Sequence, residues 1–344
     1  MSRLKMAVVG VGALGQHHAR ILSELDRVDL IAVADTNAET GTRIASQCHT
    51  QFVVDYRHLL DKIDAVTVAV PTALHLPVAS DFLLRGIPAL IEKPLACDFQ
   101  QSEKLANLAE KCATILQVGH IERFNPVTNV AATLCGFPKY IRAERLSPYS
   151  FRSTDIGVVH DLMIHDIDLI SQFVESPIAS VEAFGVSIMG DHEDSVQARL
   201  KFKNGCIADL TASRVHPTSQ RSMQLWSASG CVEVNFMTHE VIRYSPSETL
   251  LHGTPPIERA RQPGTNIERL KRDVFGKFLN VTKPDIPHTD ALTAELSSFV
   301  ECVIEETQPV VGPEAALCAM QIAGMIIDAV AAHRWDDLTD SIAA

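Results

Sequence analysis

Short apolar segments and helix-like segments alternate through residues 1–120. The apolar segments are rich in β-branched residues, and they are Lys5–Val9, Leu30–Ala34, Phe52–Val54, Ala65–Val70, Ala89–Ile91 and Thr114–Val118. The helix-like stretches between them include Ala13–Leu25, Ala73–Arg85 and Gln100–Lys111. Continuous apolar strands separated by helices are typical of a parallel sheet that is covered on both faces. The pattern predicts a doubly wound α/β domain of the Rossmann type over residues 1–120.

The pattern changes after Gly119. A helical stretch at Gly157–Val174 is followed by longer strand candidates, which are Ala179–Ile188, Ser195–Phe202, Cys206–Arg214, Ser222–Ser227, Cys231–Phe236 and Glu240–Tyr244. Asn204-Gly205 lies between two alternating segments and is typical of a tight hairpin turn. Successive strands joined by tight turns predict a second, α+β domain over residues 121–344, with a predominantly antiparallel open sheet.

The last hundred residues contain one long irregular segment and two helices. Residues 246–288 are rich in Pro, Gly and Arg, which predicts a long loop, and loops of that length are often functional. Helices are predicted at Asp290–Glu306 and Pro313–His333. Their apolar stripes recur at helical spacing, which favours packing into a core.

Composition narrows the class of protein. The chain has 344 residues, of which 46% are hydrophobic and 21% charged, as in ordinary globular proteins. The net charge of −12 argues against nucleic acid or an anionic membrane as a partner, although a local basic pocket remains possible. The eight cysteines are scattered, which predicts free thiols and no zinc knuckle. With neither a signal peptide nor a transmembrane run expected, the cytoplasm is the expected location.

A glycine-rich motif follows the first strand and opens the first helix. Gly10 would make the tight turn, Gly12 would let the backbone approach a pyrophosphate, and Gly15 would let the helix pack close to the strand. Ala13 and Leu14 complete the loop at the start of the helix, where free N–H groups favour an anion. The sequence predicts a dinucleotide-binding turn here.

An acid at the end of the second strand indicates which dinucleotide binds. Asp35 follows Gly15 by 20 residues, and a carboxylate there can accept hydrogen bonds from both hydroxyls of the adenosine ribose. The same carboxylate would repel a 2′-phosphate. The sequence therefore favours NAD over NADP, although Arg43 lies nearby and leaves some use of NADP open.

Glu92, Lys93 and Pro94 end the fifth predicted strand, at the edge of the sheet where ligands bind. Lys93 can donate a hydrogen bond to a substrate oxygen, or it can act as a base if its pKa falls. The alternative interpretation of the segment Ile91-Glu92-Lys93-Pro94 is a surface lysine at the end of a strand.

The predicted helix at Gly157–Val174 carries a second candidate for chemistry. At about 100° per residue, Asp161, His165 and Asp168 share one polar face, whereas His160 and Asp166 point elsewhere. A histidine beside acids on an otherwise apolar helix is typical of a general base with an orienting partner. A structural histidine is the alternative. A metal site is disfavoured, because the two histidines are five residues apart and no cysteine is near.

Together these motifs resemble the glucose-fructose oxidoreductase, inositol dehydrogenase and rhizopine-catabolism family. The resemblance covers nearly the whole chain and includes two further segments, Val70-Pro71-Thr72 with His75 and Val118-Gly119-His120 with Arg123-Phe124-Asn125-Pro126. It implies NAD as the cofactor, held by Gly10, Gly12, Ala13, Leu14, Gly15, Asp35, Val70, Pro71, Thr72, His75, Glu92 and Lys93. It also implies a homodimer or homotetramer formed through the exposed face of the antiparallel sheet.

The resemblance implies a substrate site as well. The catalytic residues would be Lys93, Asp161 and His165. The substrate would contact Lys93, His120, Arg123, Asn125, Arg152, Asp161, His165 and Arg221. His165 is our first choice as base and Lys93 as the cationic donor, and the two roles could be exchanged.

The segment before Asp161 departs from the broad family. Many members carry a glycine cluster there, whereas this chain reads Asp155-Ile156-Gly157-Val158-Val159-His160-Asp161. That segment, with Gly119–Pro126, resembles the branch of UDP-N-acetylglucosamine 3-dehydrogenases. In this branch the product is a 3-keto nucleotide sugar, which is later aminated for lipid A. The resemblance implies the same small-molecule substrate here.

A nucleotide sugar would need cations for its diphosphate. The candidates are Arg145, Arg152, Arg214 and Arg221 and, in the long loop, Arg259, Arg261, Arg269, Lys271 and Arg272. Tyr149 is a candidate for stacking on uracil. Two alternatives stay open: a dehydrogenase for another nucleotide-linked uronate, a hexose or a polyol such as inositol, and a non-catalytic NAD-binding regulator.

Overall fold

The computed structural model of the chain describes residues 3–151 and 155–334. Six strands form the first sheet: β1 (Leu4–Val9), β2 (Val28–Ala34), β3 (Gln51–Val53), β4 (Ala65–Val68), β5 (Ala89–Glu92) and β6 (Leu116–Gly119). All of their pairings are parallel, and the order across the sheet is β3-β2-β1-β4-β5-β6. The predicted doubly wound sheet is confirmed. Its order reverses between β1 and β4, where ligands bind in such sheets.

Helices cover both faces of this sheet. They are α1 (Gly15–Glu24), α2 (Ala38–Gln47), α3 (His75–Leu83) and α4 (Phe99–Lys111). Along β1, Met6 and Val8 enter one core and Ala7 and Val9 enter the other. Burial on both faces is why these strands are continuous apolar segments and do not alternate with polar residues.

The second sheet has eight strands, which are β7 (Pro138–Leu146), β8 (Ile178–Val186), β9 (Ser195–Phe202), β10 (Ile207–Ser213), β11 (Gln220–Ser227), β12 (Gly230–Asn235), β13 (Glu240–Pro246) and β14 (Leu279–Thr282). The order is β14-β13-β12-β11-β7-β10-β9-β8. Every pair is antiparallel except β7 with β10. Gly205, with φ of +88°, makes the predicted turn between β9 and β10. The predominantly antiparallel sheet is confirmed.

The described part of the second half also contains seven α-helices: α5 (Pro126–Cys135), α6 (Ile164–Val174), α7 (Glu248–His252), α8 (Pro256–Ala260), α9 (Ile267–Asp273), α10 (Ala291–Glu305) and α11 (Pro313–Ala332). The inner face of the second sheet packs against α5, α6 and α11 to form one apolar core. The outer face carries mostly polar side chains, and Phe275 packs against Tyr244 near the edge formed by β13 and β14.

Neither α5 nor β7, which follow each other between residues 126 and 146, was predicted from the sequence. β7 carries Ile141 and Ala143 on the buried face, but the next residue on that face is the charged Arg145. A charge at an inward position breaks the apolar alternation by which a half-buried strand is recognised. β7 nevertheless lies in the middle of the sheet, between β10 and β11.

Residues 246–288 form a compact set of short elements and not one irregular loop. The segment contains α7, α8 and α9 and returns to the sheet as β14, which pairs with β13 at one edge. None of the three helices contains a buried residue. Helices of five to seven residues leave little periodicity to detect in the sequence.

The two final helices were predicted and serve different cores. α10 returns to the first sheet, where Leu292, Leu296 and Phe299 join the core beneath α1. α11 packs its Met320 and Ile326 into the core of the second sheet. By length and composition alone, α11 is also apolar enough to cross a membrane, a test that the core helix of a globular protein passes as well.

Candidate active site

The glycine loop after β1 has the geometry that its sequence predicts. Gly10 has φ of +84°, and a Cβ there would lie 2.6 Å from the carbonyl oxygen of Ala69. A Cβ on Gly15 would lie 1.8 Å from the carbonyl oxygen of Gly10. At Gly12, by contrast, no described atom lies within 4 Å of the Cβ position. Gly10 and Gly15 are therefore required by the fold itself, whereas Gly12 keeps a ligand-facing space open.

The start of α1 is suited to an anion. Ala13 and Leu14 are exposed at the turn, and no side chain of the described residues caps the helix after Leu14. The first turn of the helix contains no acidic residue. Uncapped N–H groups and the helix dipole favour a phosphate at this position. The loop thus fits the pyrophosphate of a dinucleotide.

Asp35 lies beside this loop at the end of β2. Its Oδ2 accepts a hydrogen bond from the backbone N–H of Val11 at 2.9 Å, and its Oδ1 accepts one from Asn37 at 2.8 Å. Each carboxylate oxygen has a further lone pair for a ligand hydroxyl. The two backbone bonds hold the carboxylate where an adenosine ribose would lie, so the residues present fit NAD.

The end of β4 carries four of the predicted cofactor residues. Val70 and the exposed Pro71 lie at the turn, and Thr72 is largely buried. His75 is 1% exposed, and its two ring nitrogens each lie 2.9 Å from a carbonyl oxygen, those of Pro94 and Val70. Burial lowers the pKa of His75. The structure thus places His75 as a link between the ends of β4 and β5.

Lys93 is brought together with Asp161 of the second domain. The peptide bond between Lys93 and Pro94 is cis. Lys93 Nζ donates to the backbone carbonyl of Asp161 at 2.6 Å and lies 3.4 Å from Asp161 Oδ1. The side chains of Lys93 and Asp161 are 16% and 20% exposed, so the pair is shielded but still reachable. Two residues 68 positions apart in sequence therefore form one polar contact.

The helix that carries Asp161 and His165 is not uniform. A π-helical turn spans Val159–Met163, and α6 continues from Ile164. The predicted stripe of Asp161, His165 and Asp168 consequently divides. Asp161 contacts Lys93, whereas the Asp168 carboxylate is engaged elsewhere. π-turns inside helices are frequent at functional sites.

His165 is a neutral imidazole close to positive charges. Burial lowers the pKa of His165 well below its ordinary value, and Lys93 and then Arg145 lower it further. Among the described residues, no partner binds the buried Nδ1 atom, so the accessible ring nitrogen is Nε2. The expected orienting carboxylate is therefore not in contact with His165. Burial, followed by the charge of Lys93, also lowers the pKa of the neighbouring His160, to about 4.

Three predicted substrate residues lie next to this helix, and two of them, Arg123 and Asn125, already bind side chains of the protein. Arg123 binds the Asp168 carboxylate with two N–H groups, at 2.7 and 2.8 Å. His120 is 1% exposed, and its Nδ1 lies 3.9 Å from Asp168. The side-chain amide of Asn125 donates to Glu122 at 2.9 Å. These contacts fix the wall behind the site.

A buried ion cluster under the site was not predicted. Arg145 on β7 is 3% exposed and binds Glu122 at 2.9 Å and both oxygens of Asp166 at 2.9 and 3.1 Å. Arg145 lowers the pKa of Glu122 against the opposing effect of burial, whereas burial raises that of Asp166. Asp166 directly follows His165 in α6. The ion cluster therefore anchors the turn that carries the imidazole.

The predicted diphosphate cations fall into separate groups. Arg145 is used inside the protein, and so is Arg214, which binds Asp194 at 2.7 Å and lies over the ring of Tyr149 at 5.3 Å. Arg221 is close enough to lower the pKa values of His165, Glu122 and Asp166. Arg152 lies outside the described residues. The basic residues of the long segment are mostly exposed, and they are Arg259, Arg261, Arg269, Lys271 and Arg272.

Comparison with known proteins gives matches over both domains. The model of the oxidoreductase family with an NAD-binding Rossmann fold, GFO/IDH/MocA, matches residues 4–120, and that of the GFO/IDH/MocA C-terminal domain matches residues 129–233. The UDP-N-acetylglucosamine 3-dehydrogenase of Acidithiobacillus ferrooxidans is 31% identical over 304 residues, which cover 88% of this chain and 90% of that protein. The rhizopine catabolism protein MocA of Rhizobium meliloti is 27% identical over 253 residues, covering 69% and 80%.

A solved structure of the Acidithiobacillus ferrooxidans enzyme is also similar. It has a TM-score of 0.83 at 30% identity and covers 96% of this chain and 98% of its own. The match to the NAD-binding oxidoreductase family and to a relative that is a sugar dehydrogenase shows that the chain is an NAD-dependent sugar dehydrogenase. The chain belongs to the Gfo/Idh/MocA family, and the resemblance read from its motifs is confirmed.

Proposed function

We propose that the protein oxidises a sugar hydroxyl to a ketone with NAD, and that the substrate is UDP-N-acetylglucosamine, oxidised at C3. The observation that carries the chemistry is the convergence of Lys93, Asp161 and His165 from two domains at the carboxyl edge of the Rossmann sheet. The observation that carries the substrate is the similarity to the Acidithiobacillus ferrooxidans enzyme over 88% of the chain.

His165 is the base of the proposed reaction. Because its pKa is held well below the ordinary value, the imidazole is neutral near pH 7 and can accept the hydroxyl proton at Nε2. NAD supplies the acceptor for the hydride that leaves the same carbon.

Lys93 is the donor of the proposed reaction. Its Nζ donates to the Asp161 carbonyl oxygen at 2.6 Å and to Asp161 Oδ1 at 3.4 Å, which leaves one N–H group for a substrate oxygen. A cation beside the substrate oxygen stabilises the negative charge that develops as the proton leaves. Asp161 then acts by orienting Lys93. The exchange of the two roles, with Lys93 as base, remains the alternative assignment.

The substrate proposal needs cations for a diphosphate. Arg221 is our first candidate among the described arginines, because its charge acts on His165, Glu122 and Asp166 around the site, and Arg152 remains a candidate from the sequence. Arg221 lies on β11, next to Arg145 in register. We also propose that the protein acts in the cytoplasm, in the formation of the 3-amino sugar of lipid A.

The test is NADH formation, followed at its own absorbance, when the purified protein and NAD are mixed with one sugar at a time. UDP-N-acetylglucosamine, free N-acetylglucosamine, myo-inositol and a UDP-N-acetyl-hexuronate form the panel. An aminotransferase coupled to the reaction removes the ketone and draws the equilibrium forward. NADH only with UDP-N-acetylglucosamine supports the proposal. NADH only with another sugar overturns the substrate, and none with any sugar in a wider panel favours a non-catalytic regulator.

A further inference from the structure

A loop at residues 187–194 joins β8 to β9 and lies against the start of the helix that carries Asp161 and His165. Residues 187–192 of this loop are exposed, but its last residue, Asp194, is fully buried. A buried carboxylate needs donors around it, because an unpaired buried charge costs much free energy. None of the proposed catalytic steps uses Asp194.

Asp194 binds donors from two parts of the chain. Its Oδ2 accepts the backbone N–H groups of Ile188 and Met189, each at 2.6 Å. Its Oδ1 accepts the Nε–H of Arg214, which directly follows β10, at 2.7 Å. Burial would raise the pKa of Asp194, but these N–H groups and the charge of Arg214 hold it below its ordinary value. The carboxylate thus folds the loop back on itself and joins it to Arg214.

Arg214 extends this connection to the segment before the helix. It is 6% exposed, and its Nη1 donates to the backbone carbonyl of Ile156 at 2.8 Å. Its guanidinium also lies over the ring of Tyr149, 5.3 Å from the ring centre. Because a guanidinium holds its donors in a fixed fork, one arginine binds Asp194 and Ile156 at the same time. One rigid group therefore sets the distance between the loop and residue 156.

The residue next to Asp194 binds the same segment a second time. The backbone carbonyl of Glu193 accepts the N–H of Val158 at 2.9 Å, and its carboxylate accepts that of Val159 at 3.1 Å. Val159 is the first residue of the π-helical turn. Since Glu193 and Asp194 are adjacent, the contacts that fix Asp194 also fix the cap on this turn.

The π-helical turn determines where two of the proposed catalytic residues lie. It contains Asp161, whose backbone carbonyl accepts a hydrogen bond from Lys93 Nζ at 2.6 Å. α6, which carries His165, continues directly from the turn. A displacement of about 1 Å in such groups can lower a rate by about 100-fold. The start of the turn is therefore a point at which catalysis is sensitive to packing.

We propose that Asp194 and Arg214 are positioning residues of the active site. They hold the 187–194 loop against the start of the π-helical turn, and this turn holds Asp161 against Lys93. The effect on the rate rests on the proposed function, whereas the effect on the turn does not. Arg214 was predicted as a cation for a diphosphate, and the structure gives its guanidinium to Asp194 and Ile156 instead.

The first test is hydrogen exchange, followed by mass spectrometry, in the wild type and in Asp194→Asn. An amide side chain has one acceptor oxygen, so asparagine cannot serve both Arg214 and the N–H groups of the loop. Exchange in residues 156–163 should become about tenfold faster, the effect of losing one hydrogen bond to a charged group. Unchanged exchange would overturn the link between the loop and the turn, whatever the substrate is.

The matched control for this comparison is Asp191→Asn, which makes the same chemical change at an exposed position of the same loop. It should leave exchange in residues 156–163 and kcat unaltered. Arg214→Lys takes the place of Asp194→Asn if the latter does not fold. Lysine keeps a cation for Asp194 but lacks the fork that also reaches Ile156, so the same increase in exchange is expected.

The second test is kcat for NADH formation with the best sugar of the panel. Asp194→Asn should lower kcat about tenfold or more, change KM for the sugar by a smaller factor, and leave the Kd for NAD unaltered. Dividing kcat by the fraction of sites that bind NAD in calorimetry removes any effect of a smaller folded population. An unaltered kcat, or a rise in KM alone, would overturn the positioning role.

The route through Glu193 is tested by a double-mutant cycle on kcat with Glu193→Ala. If Asp194 acts by placing Glu193, little further activity is lost when the cap is already missing, so the two losses should combine to less than their product. Losses that multiply would overturn this route. A wild type that forms no NADH with any sugar would overturn the proposed function, whereas faster exchange in Asp194→Asn would still support the link to the turn.

Discussion

Lys93 and His165 are the residues whose replacement tests the proposed chemistry most directly. Lys93→Met keeps the length of the side chain but removes the cation, and His165→Asn keeps a polar group but removes the base. Each should lower kcat by about 100-fold or more, because loss of a general base or of a charge-stabilising donor has that magnitude. NADH absorbance with the best sugar of the panel gives kcat, and calorimetry gives the Kd for NAD.

The controls for these two variants are taken from exposed positions. Lys104→Met on α4 and His252→Asn on α7 make the same chemical changes outside the site and should leave kcat unaltered. Near-normal kcat in both Lys93→Met and His165→Asn would contradict the assignment. A raised Kd for NAD with kcat unaltered at saturating NAD would instead place these residues in cofactor binding alone.

Residues in local motifs were predictable, because their chemistry follows from a few neighbouring positions. Gly10, Gly12, Gly15 and Asp35 are defined by one strand, one turn and one helix, and the structure gives each the geometry that its motif requires. Arg145 was misassigned to a diphosphate because its partner acids lie 21 and 23 residues away in the chain. Spacing in sequence carries no information about such a contact.

The buried acid Glu295, on the apolar face of α10, could have been found with a signal that the sequence contains. It lies at the helical spacing of Leu292, Leu296 and Phe299, so a charged residue falls on the buried face of α10. A lone acid on such a face predicts either a partner from another element or a raised pKa. Its burial against the first sheet could not be predicted, because α10 returns to that sheet from the far end of the chain.

The helix that carries the proposed base is held at its start by one hairpin. Glu193, between β8 and β9, accepts the backbone N–H of Val159 at 3.1 Å with its side chain, and its own carbonyl accepts that of Val158 at 2.9 Å. The Glu193 carboxylate reaches this position because residue 157 is a glycine: a Cβ there would lie 2.0 Å from it. The segment before Asp161 lacks the glycine cluster of the broad family, but it retains Gly157, which leaves room for the Glu193 carboxylate.

Gly157→Ala should therefore displace Glu193 and loosen the π-turn before His165. We expect a loss of about 1 kcal/mol in unfolding free energy, the usual cost of a lost helix cap, and a lower kcat with little change in the Kd for NAD. Denaturant unfolding and steady-state kinetics measure the two effects. Gly190→Ala in the same hairpin is the matched control, since no described atom lies within 4 Å of its Cβ position. Equal behaviour of the two variants would rule out the cap.

Elements with one uniform pattern were predictable and mixed ones were not. α6 was found from its apolar and polar faces, but the π-turn that precedes it was not, since a single extra residue per turn leaves no mark on composition. β7 escaped because Arg145 occupies an inward position for the sake of Glu122 and Asp166. In both cases the deviation from regular pattern lies at the proposed site, where function overrides local regularity.

At the scale of the whole molecule, the outer face of the second sheet is an extended exposed surface. It carries paired charges, Arg199 with Asp209 and Lys201 with Glu182, and a groove of about 620 Å³ runs between β7 and β8. Trp226 on β11 is 46% exposed on this sheet. Exposed aromatic residues are enriched at the centre of protein interfaces, and charged residues lie mainly at their rims. We propose that two or four copies of the chain associate through this face.

Trp226→Asp tests this assembly. An unpaired charge in the middle of an interface costs several kcal/mol when two copies meet, and in a symmetric dimer the two aspartates also repel each other. Sedimentation velocity should therefore show the wild type as a dimer or tetramer and the variant shifted to smaller species. Leu84→Asp at the end of α3, 64% exposed in the first domain, makes a similar change away from the sheet and should leave the assembly intact. A monomeric wild type, or a Trp226→Asp variant that assembles as the wild type does, would assign the open face to another role.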